Sequence, residues 1–124
     1  MQRIIVISFL FLFCSCKKDS TTEESNAFST WKLDYYFDGI DQSSDYGNFY
    51  FMFNDDGTLM AHEGSKLTVG RWSDSNSRFN IQFDSNPLLL KLKRDWLIVE
   101  KSASVIKLKD DSSSPTASLN FVKQ

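Results

Sequence analysis

The chain is poor in the side chains that carry most chemistry. Among its 124 residues there is one histidine, His62, and there are two cysteines, Cys14 and Cys16. One imidazole cannot by itself build a zinc site, which needs three or four protein ligands. No serine lies in a Gly-x-Ser-x-Gly turn, and there is neither a phosphate-binding glycine loop nor His-Glu-x-x-His. An excess of basic charge is missing as well: 14 Lys and Arg stand against 16 Asp and Glu, a formal charge of −2. The phosphates of a nucleic acid would find no attractive field, so none is expected as a partner. Two adjacent carboxylate pairs exist, Asp55-Asp56 and Asp110-Asp111, but neighbours on a turn do not converge across a sugar as glycosidase chemistry requires. Calcium at Asp110-Asp111 would want more regularly spaced oxygen ligands than that loop provides. The expectation is a protein that is not an enzyme and has no metal or cofactor.

What is present begins with a leader. Arg3 supplies one positive charge, and Ile4 to Phe13 follows with only Ser8 polar. That run is too short for the roughly 30 Å of a hydrocarbon core and has the pattern of a secretory signal. It ends in Phe13-Cys14-Ser15-Cys16. This stretch resembles a bacterial lipobox, which implies cleavage after Ser15 and acyl chains on Cys16. The alternative is a conventional secreted protein with a Cys14–Cys16 disulfide, which one intervening residue would strain. With lipidation, residues 1–15 depart as the signal peptide and the mature chain keeps no free thiol. Several acyl chains, at roughly 0.8 kcal/mol per buried CH₂, hold such a protein on a membrane permanently. Residues 16–26 read as the lipidated cysteine and a solvated tether, since 17–26 contain nothing apolar to bury. The junction Cys16-Lys17-Lys18-Asp19 is similar to that of Bacteroidota lipoproteins and implies an outer-membrane location, with cell-surface display left open.

Residues 27–124 then form one domain, for which 41% hydrophobic and 24% charged residues suit a folded chain. Strict alternation starts at Trp31: Trp31, Leu33, Tyr35 and Phe37 fall on one face, Lys32, Asp34, Tyr36 and Asp38 on the other. Period two is the mark of a half-buried strand. Phe49, Phe51 and Phe53 repeat the pattern, and Asp55-Asp56-Gly57 then marks a hairpin in which both Asp56 and Gly57 are expected at positive φ. Further strands are predicted over 58–63, 67–73, 78–84, 96–101, 105–109 and 118–123. Residues 85–94 are ambiguous: Asn86 and Pro87 suit a helix start, whereas Leu88, Leu90 and Leu92 alternate as in a strand. A short helix within 87–94 is favoured.

Eight antiparallel strands in sequence order close most simply as an all-β up-and-down barrel, which removes exposed edges. Trp31, the phenylalanine-rich second strand, Asn54-Asp55-Asp56-Gly57-Thr58, Gly70-Arg71-Trp72-Ser73 and Leu119-Asn120-Phe121 together resemble the small lipocalin-like lipoproteins of Bacteroidota, over 27–124. The resemblance implies the barrel fold and names no ligand.

A barrel of this size is filled either by its own side chains or around one small ligand. Should it hold an apolar ligand, Tyr35, Phe37, Phe51 and Trp72 are the candidate contacts, with Gly39 to Tyr46 as a loop over the open end. Gly70 is expected to leave space for a neighbouring ring. Should the interior be packed, Tyr36, Tyr46 and Tyr50 are candidates for an outer aromatic surface that meets an envelope protein or glycan. The domain is expected to be a monomer, joined to the membrane through Cys16.

Overall fold

Alternating apolar side chains produce eight strands, each hydrogen-bonded to the next in sequence. The computed structural model describes residues 29–112 and 114–124; the signal peptide, Cys16 and the tether lie outside them. The strands are β1 (Trp31–Phe37), β2 (Phe49–Phe53), β3 (Thr58–Glu63), β4 (Lys66–Asp74), β5 (Arg78–Gln82), β6 (Arg94–Lys101), β7 (Val105–Asp110) and β8 (Ala117–Lys123). β8 returns to β1, so the sheet closes into a barrel with the expected up-and-down order. The seams are unequal. β1 and β2 share a single register pair, Trp31 with Phe51, whereas β1 and β8 share six.

The β2–β3 turn departs from the expected form. Of Asp56 and Gly57, only Gly57 has a positive φ, at 91°. Asn54 N–H donates to the Thr58 carbonyl and Gly57 N–H to the Asn54 carbonyl, so the connection is a three-residue loop with glycine at its left-handed position. Asp56 instead accepts from the Thr58 N–H through its side chain, which holds its carboxyl below the usual range.

The ambiguous segment resolves into a one-turn helix, α1 (Pro87–Leu90), after which β6 begins already at Arg94. Asn86 caps α1 by accepting from the Leu88 N–H, and Pro87 takes the first turn, where a missing N–H costs nothing. A 3₁₀ turn (Ser43–Tyr46) lies in the β1–β2 connection.

Two β-bulges decide which side chains point inward. In β1, Leu33 pairs with Phe121 but Tyr35 with Asn120, so Asp34 is an extra residue and the facing inverts after it. Trp31 and Leu33 are buried as expected; beyond the bulge Tyr36 goes inward, while Tyr35 and Phe37 are half-buried on the other face. The sequence-based facing of Tyr35, Tyr36 and Phe37 is therefore corrected. In β6 the extra residue is Val99, which is exposed.

The core is a single cluster in which Trp96, Phe49, Phe51, Phe79, Phe83 and Phe121 are fully buried. Trp96 is the largest of its fully buried side chains. No polar or charged residue among those described is buried, so the middle of the barrel is a packed apolar interior.

Candidate functional site

The two ends of the barrel differ, and the difference locates the site. One end carries the β1–β2, β3–β4, β5–β6 and β7–β8 connections. It is sealed. Tyr46, from the 3₁₀ turn, is fully buried, sits edge-on to Tyr36 at 5.6 Å and donates to the Leu88 carbonyl at 2.7 Å. Leu89 and Leu92 close the gap from α1 and the segment after it, and the Trp96 indole N–H donates to the Leu92 carbonyl. Burial raises the pKa of both Tyr46 and Tyr36 above the ordinary phenol value.

A charged clasp ties this end together from outside the core. Arg94, on β6, is paired with Asp38 after β1 and with Asp110 at the end of β7, and lies 5.0 Å over the Trp96 ring. Its burial opposes the charge, but the bonds to Asp38 and Asp110 and the field of its neighbours more than offset that, so its pKa is raised. Asp110 is held below the usual carboxylate range, first by the Ser112 hydroxyl and also by Arg94. With Asp110 committed to these partners, the pair Asp110-Asp111 is a structural turn. Among the described residues, no group of three or more His, Cys, Asp or Glu side chains comes together in a way that could hold a metal.

The other end is open. It carries the β2–β3, β4–β5 and β6–β7 turns and both ends of the described barrel chain, and it holds a pocket of about 280 Å³. Its walls are Trp31, Phe53, Trp72, Phe79 and Ile106, and its rim includes Asp55, Lys101 and Lys123. Phe53 is the hub: Trp31, Trp72, Phe79 and Phe121 each meet it edge-on at 5.3–6.0 Å, while Trp72 and Phe79 stack at 5.4 Å. Edge-to-face and offset contacts of this kind hold rings in fixed orientations. The rings of the wall thus orient one another without any ligand.

Trp72 is fixed further by the β2–β3 turn. Its indole N–H donates to the Asn54 carbonyl at 2.8 Å and its backbone N–H to the Gly57 carbonyl at 3.0 Å. The Asn54–Thr58 and Gly70–Ser73 motifs, far apart in sequence, are thus one unit whose product is a fixed indole face. Gly70 makes the room expected of it. A Cβ there would lie 2.2 Å from the Gln82 carbonyl oxygen and 2.6 Å from the Phe83 ring.

Of the four candidate ligand contacts, Trp72 is in the pocket wall; Phe51 lies deeper in the packed core, and Tyr35 and Phe37 lie on the outer face. The residues that sequence reading missed as pocket contacts are Trp31, Phe53, Phe79 and Ile106. All belong to inward alternating positions, and the missing information was which end of the barrel stays open. The Gly39–Tyr46 loop seals the far end and does not cover the pocket. Of the three tyrosines assigned to an outer surface, Tyr36 and Tyr46 are buried and only Tyr50 is exposed. Tyr50 instead belongs to an apolar outer face of β2–β4, where cross-strand register aligns Tyr50, His62 and Leu67 in one row and Met52, Met60 and Val69 in the next. His62 faces away from the buried Leu59 and Ala61, as its position in the alternation requires.

The fold is similar to the crystal structure of a DUF4847 family protein from Bacteroides vulgatus, with a TM-score of 0.54 over 82% of this chain and 96% of that one. Identity is 16%, so the likeness concerns the fold alone. No protein-family model matches the chain, and no curated protein does.

Proposed function

We propose that the chain is a non-enzymatic, lipid-anchored lipoprotein of the outer membrane whose lipocalin-like barrel binds one small apolar molecule in the open-end pocket. The observation that carries this reading is the aromatic cup itself. Five apolar side chains line a preformed concavity at one end of a barrel that is sealed at the other. Its 280 Å³ lies between the roughly 150 Å³ void that takes up benzene and the pockets of about 300–1,000 Å³ that hold drug-sized ligands. A single ring system or a short aliphatic chain fits that size. The anchor is supported by the lipobox-like Phe13-Cys14-Ser15-Cys16 and the polar tether. The absence of an enzymatic role is supported by the lack of any nucleophile motif and by the use of Asp110 in the clasp with Arg94.

The test is binding of a naphthalene probe to the full chain, followed by native mass spectrometry and tryptophan fluorescence. One probe per chain is expected, with affinity lowered at least about ten-fold by Trp72→Leu, since a buried aromatic contact often contributes 2 kcal/mol or more. No bound probe, or equal binding by the variant, rejects the reading.

A second reading is favoured by the exposed row on β2–β4. Tyr50, Leu67 and Val69 are 46%, 48% and 57% exposed, larger apolar exposure than a solvated barrel wall needs. This face would meet an envelope protein or glycan. The triple change Tyr50→Ser, Leu67→Ser, Val69→Ser should then abolish partner capture while naphthalene binding persists.

A further inference from the structure

We infer that the outer face of β1, β8 and β7 binds a polysaccharide that carries carboxylates, with Tyr35 and Phe37 as the platform on which its sugars stack. This site is separate from the cup and independent of the anchor. The bulge at Asp34 creates it. Without the inserted residue, the alternation from Trp31 would carry Tyr35 and Phe37 into the core; with it, both rings stand half-buried on the outer wall. Turning two rings out forgoes the stabilisation that full burial of each would give. A bulge that re-aims side chains in this way is a device found beside binding and active sites.

Cross-strand register sets what surrounds the rings. Tyr35 lies beside Asn120 and then Lys107; Phe37 lies beside Ser118 and then Lys109. Two adjacent rows thus run ring, small polar group, ammonium. Neighbouring strands are about 4.8 Å apart, so each row spans roughly 10 Å from β1 to β7, and the rings are separated by about 7 Å along β1. Elsewhere on the wall polar side chains hold one another, as Lys101 holds Asp74 and Gln82 holds Asn80. Here, among the described residues, the Tyr35 hydroxyl, Asn120 amide, Ser118 hydroxyl and Lys109 ammonium have no hydrogen-bond or ion-pair partner.

That pattern selects the ligand. A sugar presents an apolar C–H face to a ring and hydroxyls at its edge, which the amide and hydroxyl between ring and lysine can meet. Asp34, exposed at the bulge next to Tyr35 and without an ion pair among the described residues, accepts from further hydroxyls. Lys109 supplies one free positive charge at the opposite corner, whereas Lys107 shares its own with Glu100 at 3.7 Å. One free ammonium, opposed by Asp34, suits the single charge of a carboxylate better than the double charge of a phosphate. A protein partner would bury a continuous apolar core, but in these two rows only the two rings are apolar.

The test is an NMR titration of the isotope-labelled full chain with galacturonate oligomers and with their methyl esters, which keep the sugar faces and lose the charge. Amide shifts centred on β1, β8 and β7 are expected, with affinity rising from mono- to digalacturonate as the second ring is engaged. The esters should bind about three-fold more weakly, the effect of one exposed ion pair. Lys109→Gln should erase that difference and leave ester binding unchanged. Tyr35→Leu keeps an apolar side chain on the wall but removes the ring, and should weaken acid and ester alike by about five-fold. Lys109 is exposed, so its variant folds as the parent does and keeps the test decisive if Tyr35→Leu does not fold. Equal binding of acid and ester overturns the inference, as does displacement by inorganic phosphate at constant ionic strength. Shifts centred on β2–β4 or on the cup, or no shifts at all, overturn it too.

Discussion

A residue matters here by the room it leaves as much as by the contacts it makes. Gly70 sits where any Cβ would press on the Gln82 carbonyl and the Phe83 ring, and neither can move without shifting β5 or the core. Gly70→Ala should therefore destabilise by about 2 kcal/mol, a fall of roughly 10 °C in Tm on a domain of this size; an unchanged melting curve would refute the packing account. Tyr46 works in the opposite way, as a plug. Burial raises its pKa, so the folded state keeps a proton that the unfolded chain releases near pH 10. Its contribution is complete below that pH and is lost as pH rises above it. Denaturant melts from pH 8 to 11 should show stability dropping beyond pH 10, with a smaller drop in Tyr46→Phe. The phenylalanine variant should also lose about 1 kcal/mol at pH 8, because the Leu88 carbonyl is left without its donor. Room at Gly70 was legible in the sequence, because a glycine at an inward strand position has few other uses. The burial of Tyr46 was not, because a tyrosine in a polar loop gives no periodic signal.

At the scale of elements, periodicity located every strand and one inserted residue defeated it locally. The eight-residue alternation from Trp31 contains no mark of the bulge at Asp34, which shows itself only in the pairing of β1 with β8. Three side chains changed face as a result, among them Tyr36, one of the three candidate surface tyrosines. Helix α1 was readable, since Asn86-Pro87 is a start signal with a mechanism, yet the helix ends after one turn. Asn86 also holds a φ of 74°, a conformation that ordinary side chains resist. Replacing it separates the two roles. Asn86→Gly keeps the backbone and loses only the cap, for about 0.5 kcal/mol, whereas Asn86→Ala loses both, for about 2 kcal/mol. Equal losses from urea melts would show that backbone strain contributes nothing there.

For the whole molecule, the consequence of closure is polarity: one end shut by Tyr46, Leu89 and the Arg94 clasp, the other left as an aromatic cup. Closure itself could be read from eight strands in meander order, but not which end would stay open, because that depends on which connections fold inward. The clasp carries an acid signature. Asp110 has a folded pKa below its unfolded one, so its stabilisation is present above the ordinary carboxylate range near pH 4 and is lost as pH falls through the folded value. Thermal melts from pH 6 down to pH 2.5 should show that decline, and Asp110→Asn should flatten it. Trp31 belongs both to the cup and to the seam between β1 and β2, the thinnest in the barrel. A cylinder with one thin seam parts there first, as a stave barrel does. Opening by a few ångströms at that line would widen the entrance without disturbing the sealed base, so backbone amides of Phe49–Phe53 should exchange with deuterium sooner than those of β8. The weakest line of the wall would then serve as its door.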